Sequence, residues 1–241
     1  MQFDVITLFP AIIENYCTSS IMGRAQNQGV IRVNTINPRD FSKDKHKKVD
    51  DTPYGGGAGM VLACQPYLDA ISSVPMLENS VRIMLTPQGQ PFSQQLSVEL
   101  SQKDQIVLIC GHYEGFDERI RESADVVEIS IGDFVLTGGE LPALCLLDSI
   151  SRNIEGALGK IESAHYDTFS DGLLEYPHYT RPYDYNGMKV PDILTSGNHA
   201  AIDKWRRQQQ LIRTYQKRPD LLEKATLTKS DKAFLVSYLE K

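Results

Sequence analysis

Three glycine-bearing loops hold the residues of this sequence best suited to chemistry, and each follows a run with strand character. They are Thr86-Pro87-Gln88-Gly89, Cys110-Gly111-His112-Tyr113-Glu114-Gly115, and the stretch from Ile131 to Glu140 containing Gly132, Gly138 and Gly139. In a parallel α/β sheet, ligands bind in the crevice at the carboxyl ends of the strands. Glycines there let the backbone approach a flat ligand closely and present N–H and C=O groups to it. One such loop does no more than turn the chain. Three in one α/β unit point to a binding crevice.

A fourth stretch, Asp50-Asp51-Thr52-Pro53-Tyr54-Gly55-Gly56-Gly57-Ala58-Gly59-Met60, has the glycine content of a phosphate loop. It lacks the Gly-Lys-Ser/Thr ending, and the GxGxxG dinucleotide spacing is missing too, which disfavours an ATPase or a dehydrogenase. Just upstream, Arg39, Lys43, Lys45, Lys47 and Lys48 cluster beside His46. Such a run is a solvated face by default, and a phosphate contact if the partner is RNA.

The elements that must carry these loops follow from periodicity. Phe3–Leu8, Val30–Ile36, Val81–Leu85, Gln105–Cys110 and Asp125–Ser130 read as strands, with a turn at 86–89. Gln105–Cys110 is continuously apolar, as a strand buried on both faces must be. Pro10 suits the first turn of a helix, and Ser93 suits a helix cap. Glu140–Ile154, with Leu141, Leu144, Cys145 and Asp148 at helical spacing, reads as a long, mostly buried helix. The alternation predicts an α/β domain with a mainly parallel sheet over residues 1–160. Residues 161–175, polar and aperiodic, read as a linker. Over 176–241, the Tyr- and Pro-rich stretch reads as irregular and the rest as helical. There Asn198 caps a helix striped by Ile202, Trp205, Ile212 and Tyr215, with Arg206, Arg213 and Lys217 on another stripe. Pro219 starts a second helix, and Thr228 or Ser230 a third.

The composition is that of a soluble globular chain, with 41% hydrophobic and 23% charged residues among 241. No apolar run approaches a membrane span, and MQFDVITLFP lacks the basic region of an export signal. Four scattered cysteines without a CxxC pair fit reduced thiols in the cytoplasm. The five histidines lack zinc-site spacing, so no structural metal is expected. The formal charge of −6 is uneven: from Pro177 onward 12 Lys+Arg face 7 Asp+Glu, and the remainder is strongly acidic. Nucleic-acid binding depends on local potential, so the acidic average does not exclude it.

Taken together, the segments resemble the bacterial tRNA (guanine-N1)-methyltransferase family, TrmD. The matching strings are LFP, NPRDF, DKHKKVDDTPYGGGAGM, TPQG, CGHYEGFDER, SIGDFVLTGGELPA, DGLLEYPHYTRP and KWRRQQQLIRT, in family order and over nearly the whole chain. The resemblance implies a SPOUT-class fold with a deep trefoil knot, an exception to the general avoidance of knots. It also implies a small C-terminal helical domain, a homodimer and S-adenosylmethionine bound in the knot. Carried onto this sequence, the methyl-donor pocket comprises Pro87, Gly111, Tyr113, Glu114, Ile131, Leu136, Gly138, Gly139 and Pro142. The family's general base matches Asp167, with Phe169 shortly after it, and reaches the partner subunit's site. An arginine at the end of the long helix matches Arg152. Three departures stand out: His112 where CGRYEG is common, His165-Tyr166 where an acidic pair is common, and Glu175 ending the string usually written DGLLD.

The implied reaction is transfer of a methyl group to N1 of the guanosine that follows the anticodon, position 37, when another guanosine precedes it. Guanine N1 carries a proton, and an aspartate with pKa about 3.9 is a poor base for so weak an acid. Stabilisation of the charge developing at O6 must help, and a guanidinium supplies it. Asp167 as base and Arg152 as electrostatic stabiliser fit those roles; without the resemblance Arg152 reads as a helix C-terminal cap. Glu114 suits the donor's amino group or a divalent cation, since the family is reported to need Mg2+. The basic helix and the Tyr-rich stretch His178–Tyr185 are candidates for gripping the anticodon arm, whose loop exposes a base more cheaply than a duplex. The competing readings are a knotted methyltransferase for another RNA position and a non-catalytic RNA-binding module.

Overall fold

A computed structural model describes residues 1–157, 168–169 and 171–240 of the chain. Contacts between Cα atoms divide it into two compact units, Met1–Lys160 and Ile161–Lys241.

The first unit is built on a five-stranded sheet of β1 (Gln2–Ile6), β2 (Arg32–Ile36), β5 (Ser80–Pro91), β6 (Gln105–Cys110) and β7 (Val127–Ser130). Its order is β2-β1-β6-β5-β7, and every pairing is parallel. β6 sits at the centre with all six residues buried. Its side chains alternate between two cores: Ile106, Leu108 and Cys110 join one, Val107 and Ile109 the other. That period-two split is why a continuous apolar run forms a strand when helices cover both faces. One core is closed by α1 (Pro10–Cys17), α2 (Ser20–Asn27), α4 (Gln94–Leu100) and α6 (Glu140–Ser151). The other is closed by α3 (Cys64–Ser72) and α5 (Glu118–Ser123). Pro10 occupies the first turn of α1, and the Ser93 hydroxyl accepts from the Leu96 N–H as an N-cap.

Two readings of this unit are corrected. The turn at 86–89 is part of β5, which continues to Pro91 with a break in its pairing to β7 between Leu85 and Gln90. Pro87 has no N–H to give a ladder, so the register lapses across it and then resumes. In α6 the core-facing residues are Ala143, Leu146, Leu147 and Ile150. Of the stripe of Leu141, Leu144, Cys145 and Asp148, Leu144 packs against that core, whereas Leu141 and Cys145 are exposed. Both stripes have helical spacing, and spacing alone does not say which one meets the sheet.

Short strands β3 (Asp50–Asp51) and β4 (Val61–Leu62) pair antiparallel and hold the 52–60 loop out into solvent, where Tyr54 is fully exposed.

The second unit holds α7 (His199–Lys217), α8 (Pro219–Leu222) and α9 (Lys229–Leu239). The Asn198 side chain caps α7, and Thr228 and Asp231 form a capping box on α9. The α7 stripe differs from the expected one: Ile202, Leu211 and Thr214 are buried, Trp205 and Ile212 half-buried, and Tyr215 exposed. The stretch expected to be irregular contains a hairpin, β8 (Asp184–Tyr185) with β9 (Met188–Lys189). Its turn residues Asn186 and Gly187 both have positive φ. Asn-Gly between two pairing segments is a strong hairpin signal, and it was legible. Arg207 pairs with both Asp231 and Asp171, tying the 171–175 segment to α7 and α9.

Candidate functional site

The sheet order puts β6, β5 and β7 side by side, so the loops leaving their carboxyl ends converge although the chain separates them widely. Between them lies a pocket of about 290 Å³. Pro87, Gly111, Tyr113, Glu114, Ile131, Leu136, Gly138, Gly139 and Pro142 all line it. Its size is near the lower end for small-molecule sites, and its walls mix apolar side chains with backbone.

Hydrogen bonds lock the loops together. The Gly139 N–H donates to the Gly111 carbonyl at 2.8 Å, and His112 bridges to Gly138. A Cβ on Gly139 would stand 2.7 Å from the Cα of Cys110, so only glycine lets α6 start this close to β6. Glu114 is fixed from the other side, where its N–H donates to the Met60 carbonyl at 3.0 Å, while Leu62 donates to Gly115 at 2.9 Å. The exposed glycine-rich loop therefore ends against the pocket rim. Tyr113 sits in the left-handed region at φ 57, unusual for a bulky side chain, and about half of it is exposed. That conformation turns its ring outward beside the pocket.

Below the pocket lies a buried polar group. Glu140, the first residue of α6, is 3% exposed. Its Oε1 accepts from the Thr7 hydroxyl at 2.6 Å, and its Oε2 meets His112 Nε2 at 2.8 Å. Nearby, burial drives the Cys110 thiol and the Tyr67 phenol well above their ordinary values, so both stay neutral. Arg121 also lines the pocket and was not singled out from sequence. Burial acts to lower its pKa, but bonds to Glu118 and Glu128 outweigh that and hold it above the ordinary value. Only the tertiary fold brings it to the pocket, so no local signal could have found it.

Asp167 lies outside the described residues, as do His165 and Tyr166. Arg152 is the C-cap of α6, exposed, with its N–H on the Asp148 carbonyl. It does not line the pocket. A helix advances 1.5 Å per residue, so Arg152 lies roughly 18 Å along α6 from the glycine turn.

Of the basic cluster, Lys43 pairs with Asp69 at 3.4 Å and Lys47 with Asp40 at 3.5 Å. In the second unit, Arg206 stacks over Tyr176 at 5.0 Å and Arg213 reaches the Glu175 carbonyl, whereas Lys217 is exposed.

A parallel α/β sheet with a ligand pocket built from backbone turns at three adjacent strand ends defines an α/β ligand-binding domain of the enzyme type. Comparison with known proteins narrows this. The profile of the family described as tRNA (Guanine-1)-methyltransferase TrmD matches residues 1–224. A tRNA (guanine-N(1)-)-methyltransferase of Staphylococcus epidermidis is 54% identical over 241 residues, covering 100% of this chain and 98% of the relative. The protein of the same description from Staphylococcus aureus strain Newman is 54% identical over 238 residues, 99% of this chain and 97% of its own. The chain belongs to the tRNA (guanine-1)-methyltransferase TrmD family of methyltransferases.

Proposed function

We propose that this protein transfers a methyl group from S-adenosylmethionine to N1 of the guanosine immediately following the tRNA anticodon, position 37. The observation that carries the reading is that the nine residues implied by the family resemblance line one pocket at the ends of β5, β6 and β7, in a chain of this family. The fit of the donor rests on the close approach of the Gly138–Gly139 turn to the end of β6, which brings backbone to the pocket wall. When bound, the donor supplies an electrophilic methyl group.

The chain's own residues do the rest. Asp167 takes the N1 proton as the N1 lone pair forms its bond to the methyl carbon and the carbon–sulfur bond breaks to leave a neutral thioether, while Arg152 stabilises negative charge on the guanine O6. Glu114 is held at the rim by Met60, where its carboxylate suits the donor's amino group. Among the described residues no group of three or more His, Cys, Asp or Glu could hold a metal ion, and no step here is routed through magnesium.

We further propose a homodimer in which one subunit's linker reaches the other's pocket. Two features support this: Arg152 lies a helix length from the pocket of its own subunit, and an apolar surface remains uncovered. That surface combines Ile12 and Tyr16 of α1 with Leu141 and Cys145 of α6, all exposed. The trefoil knot belongs to the same proposal, supported by the mutual tethering of the loops after β6 and β7. So does the division of labour, with residues 161–175 as the linker carrying the base and 176–241 as the helical tRNA-binding part. The setting is the cytoplasm, and among the described residues no helix is long and apolar enough to cross a membrane.

The test is methyl transfer from labelled donor to tRNA transcripts differing only at position 37 and the nucleotide before it. Product should be N1-methylguanosine, formed only when both are guanosine. Any other methylated nucleotide defeats the assignment.

A further inference from the structure

We propose that His112 is a positioning residue for methyl-donor binding: by hydrogen-bonding the buried Glu140 it fixes the Gly138–Gly139 turn that forms one wall of the pocket. The proposal rests on the reading of that pocket as the donor site.

His112 lies between two tethered loops. Its own backbone bridges Gly138, and its ring packs at 4.8 Å from Phe9. A Cβ on Gly138 would stand 2.2 Å from His112 Nε2 and 2.7 Å from Glu140 Oε2. The imidazole thus fills the space a side chain at 138 would need, and His112 itself also lines the pocket. Glu140 links the ring to the start of α6, because its carboxylate is out of water and depends on Thr7 and His112 for partners. With Glu140 as a carboxylate, which only accepts, the bond is made with His112 Nε2 as the donor. Removing one partner of a buried carboxylate leaves an oxygen unsatisfied, which is destabilising. The fold relieves it most readily by letting Glu140 turn toward water, and Glu140 follows Gly139 directly in the chain. The strain therefore falls on the pocket wall, whereas the core strands β1 and β6 are held by their own ladder.

The experiment measures S-adenosylmethionine binding by calorimetry, and KM for donor and for tRNA, in wild type, His112→Ala, His112→Gln and Thr7→Val. Glutamine keeps a donor N–H; alanine does not. Expected are a roughly tenfold weaker donor affinity and raised donor KM in His112→Ala, the tRNA KM staying within twofold, and recovery of most of the loss in His112→Gln. Thr7→Val removes the carboxylate's other partner from the side away from the pocket and should weaken donor binding in the same direction. Thermal melts identify any variant that does not fold, and Thr7→Val then carries the test. Unchanged donor affinity in a folded His112→Ala, a glutamine variant no better than alanine, or an equal rise in both KM values overturns the positioning role. Wild-type protein that binds no donor overturns the pocket reading instead.

Discussion

The N–H of Gly139 donates to the carbonyl of Gly111 at 2.8 Å, fastening the turn before α6 to the end of the central strand. Two loops that are distant in sequence thereby become one binding wall. Gly139→Ala would push a methyl group against the Cys110 backbone, 2.7 Å away, and the helix start must retreat. Donor binding measured by calorimetry should fall at least tenfold, and the melting temperature should drop by several degrees, since overpacking costs roughly 1–3 kcal/mol. Wild-type affinity would mean that this wall is not part of the site.

If each site takes its pocket from one subunit and its base from the other, two inactive variants should complement. Gly139→Ala and Asp167→Ala homodimers should each lose nearly all methyl transfer. Mixed and allowed to exchange, random pairing gives one intact site in half the dimers, so about a quarter of wild-type activity should return. Asp167→Ala alone should still bind tRNA in a filter assay. No recovery in exchanged mixtures would place base and pocket in the same subunit.

Tyr16 of α1 donates its hydroxyl hydrogen to Asp148 of α6. The bond to that carboxylate, with burial and its negative charge, raises the phenol to about 12. The neutral form is the one the fold favours, so this contribution to stability is full below the ordinary tyrosine pKa of about 10 and is lost as pH rises toward 12. Ultraviolet titration should find one tyrosine ionising near 12 in wild type, and Asp148→Asn should return it to the ordinary range.

In the second unit, Asp231 is 6% exposed beside Arg207. Burial alone would raise its pKa, but bonds from Arg207 and Thr228 outweigh that and hold it below the usual carboxylate value. A depressed folded pKa stabilises above the unfolded value and fades as pH falls through the folded one. Asp231→Asn should therefore lower stability near neutrality by roughly 1–3 kcal/mol. The gap to wild type in chemical denaturation should narrow under acid conditions.

Lys217, exposed at the end of α7, is the cation of its stripe best placed to meet RNA, because Arg206 and Arg213 are engaged with residues 175–176. Lys217→Ala should weaken tRNA binding about equally for all transcripts and reduce the salt slope by about 1. A slope equal to wild type would remove it from the interface.

Much of this was legible in residues. The apolar run Gln105–Cys110 announced a doubly buried strand, and Pro10, Ser93, Asn198 and Thr228 marked helix starts. Local pattern reports what a segment does with its own backbone, and those features are local. The α6 stripe was misread because two apolar faces of similar spacing compete, and only the sheet beneath selects one.

Sequence by itself determined the strands of the main sheet, the capped helix starts and the family. Tertiary structure alone decided that β6, β5 and β7 would be neighbours, that Arg121 would reach the pocket, and that His112 would find a buried carboxylate 28 residues away. The reason is physical: a strand's choice of neighbour, and a buried charge's choice of partner, are settled by packing contacts between distant segments, and no single stretch of residues encodes them.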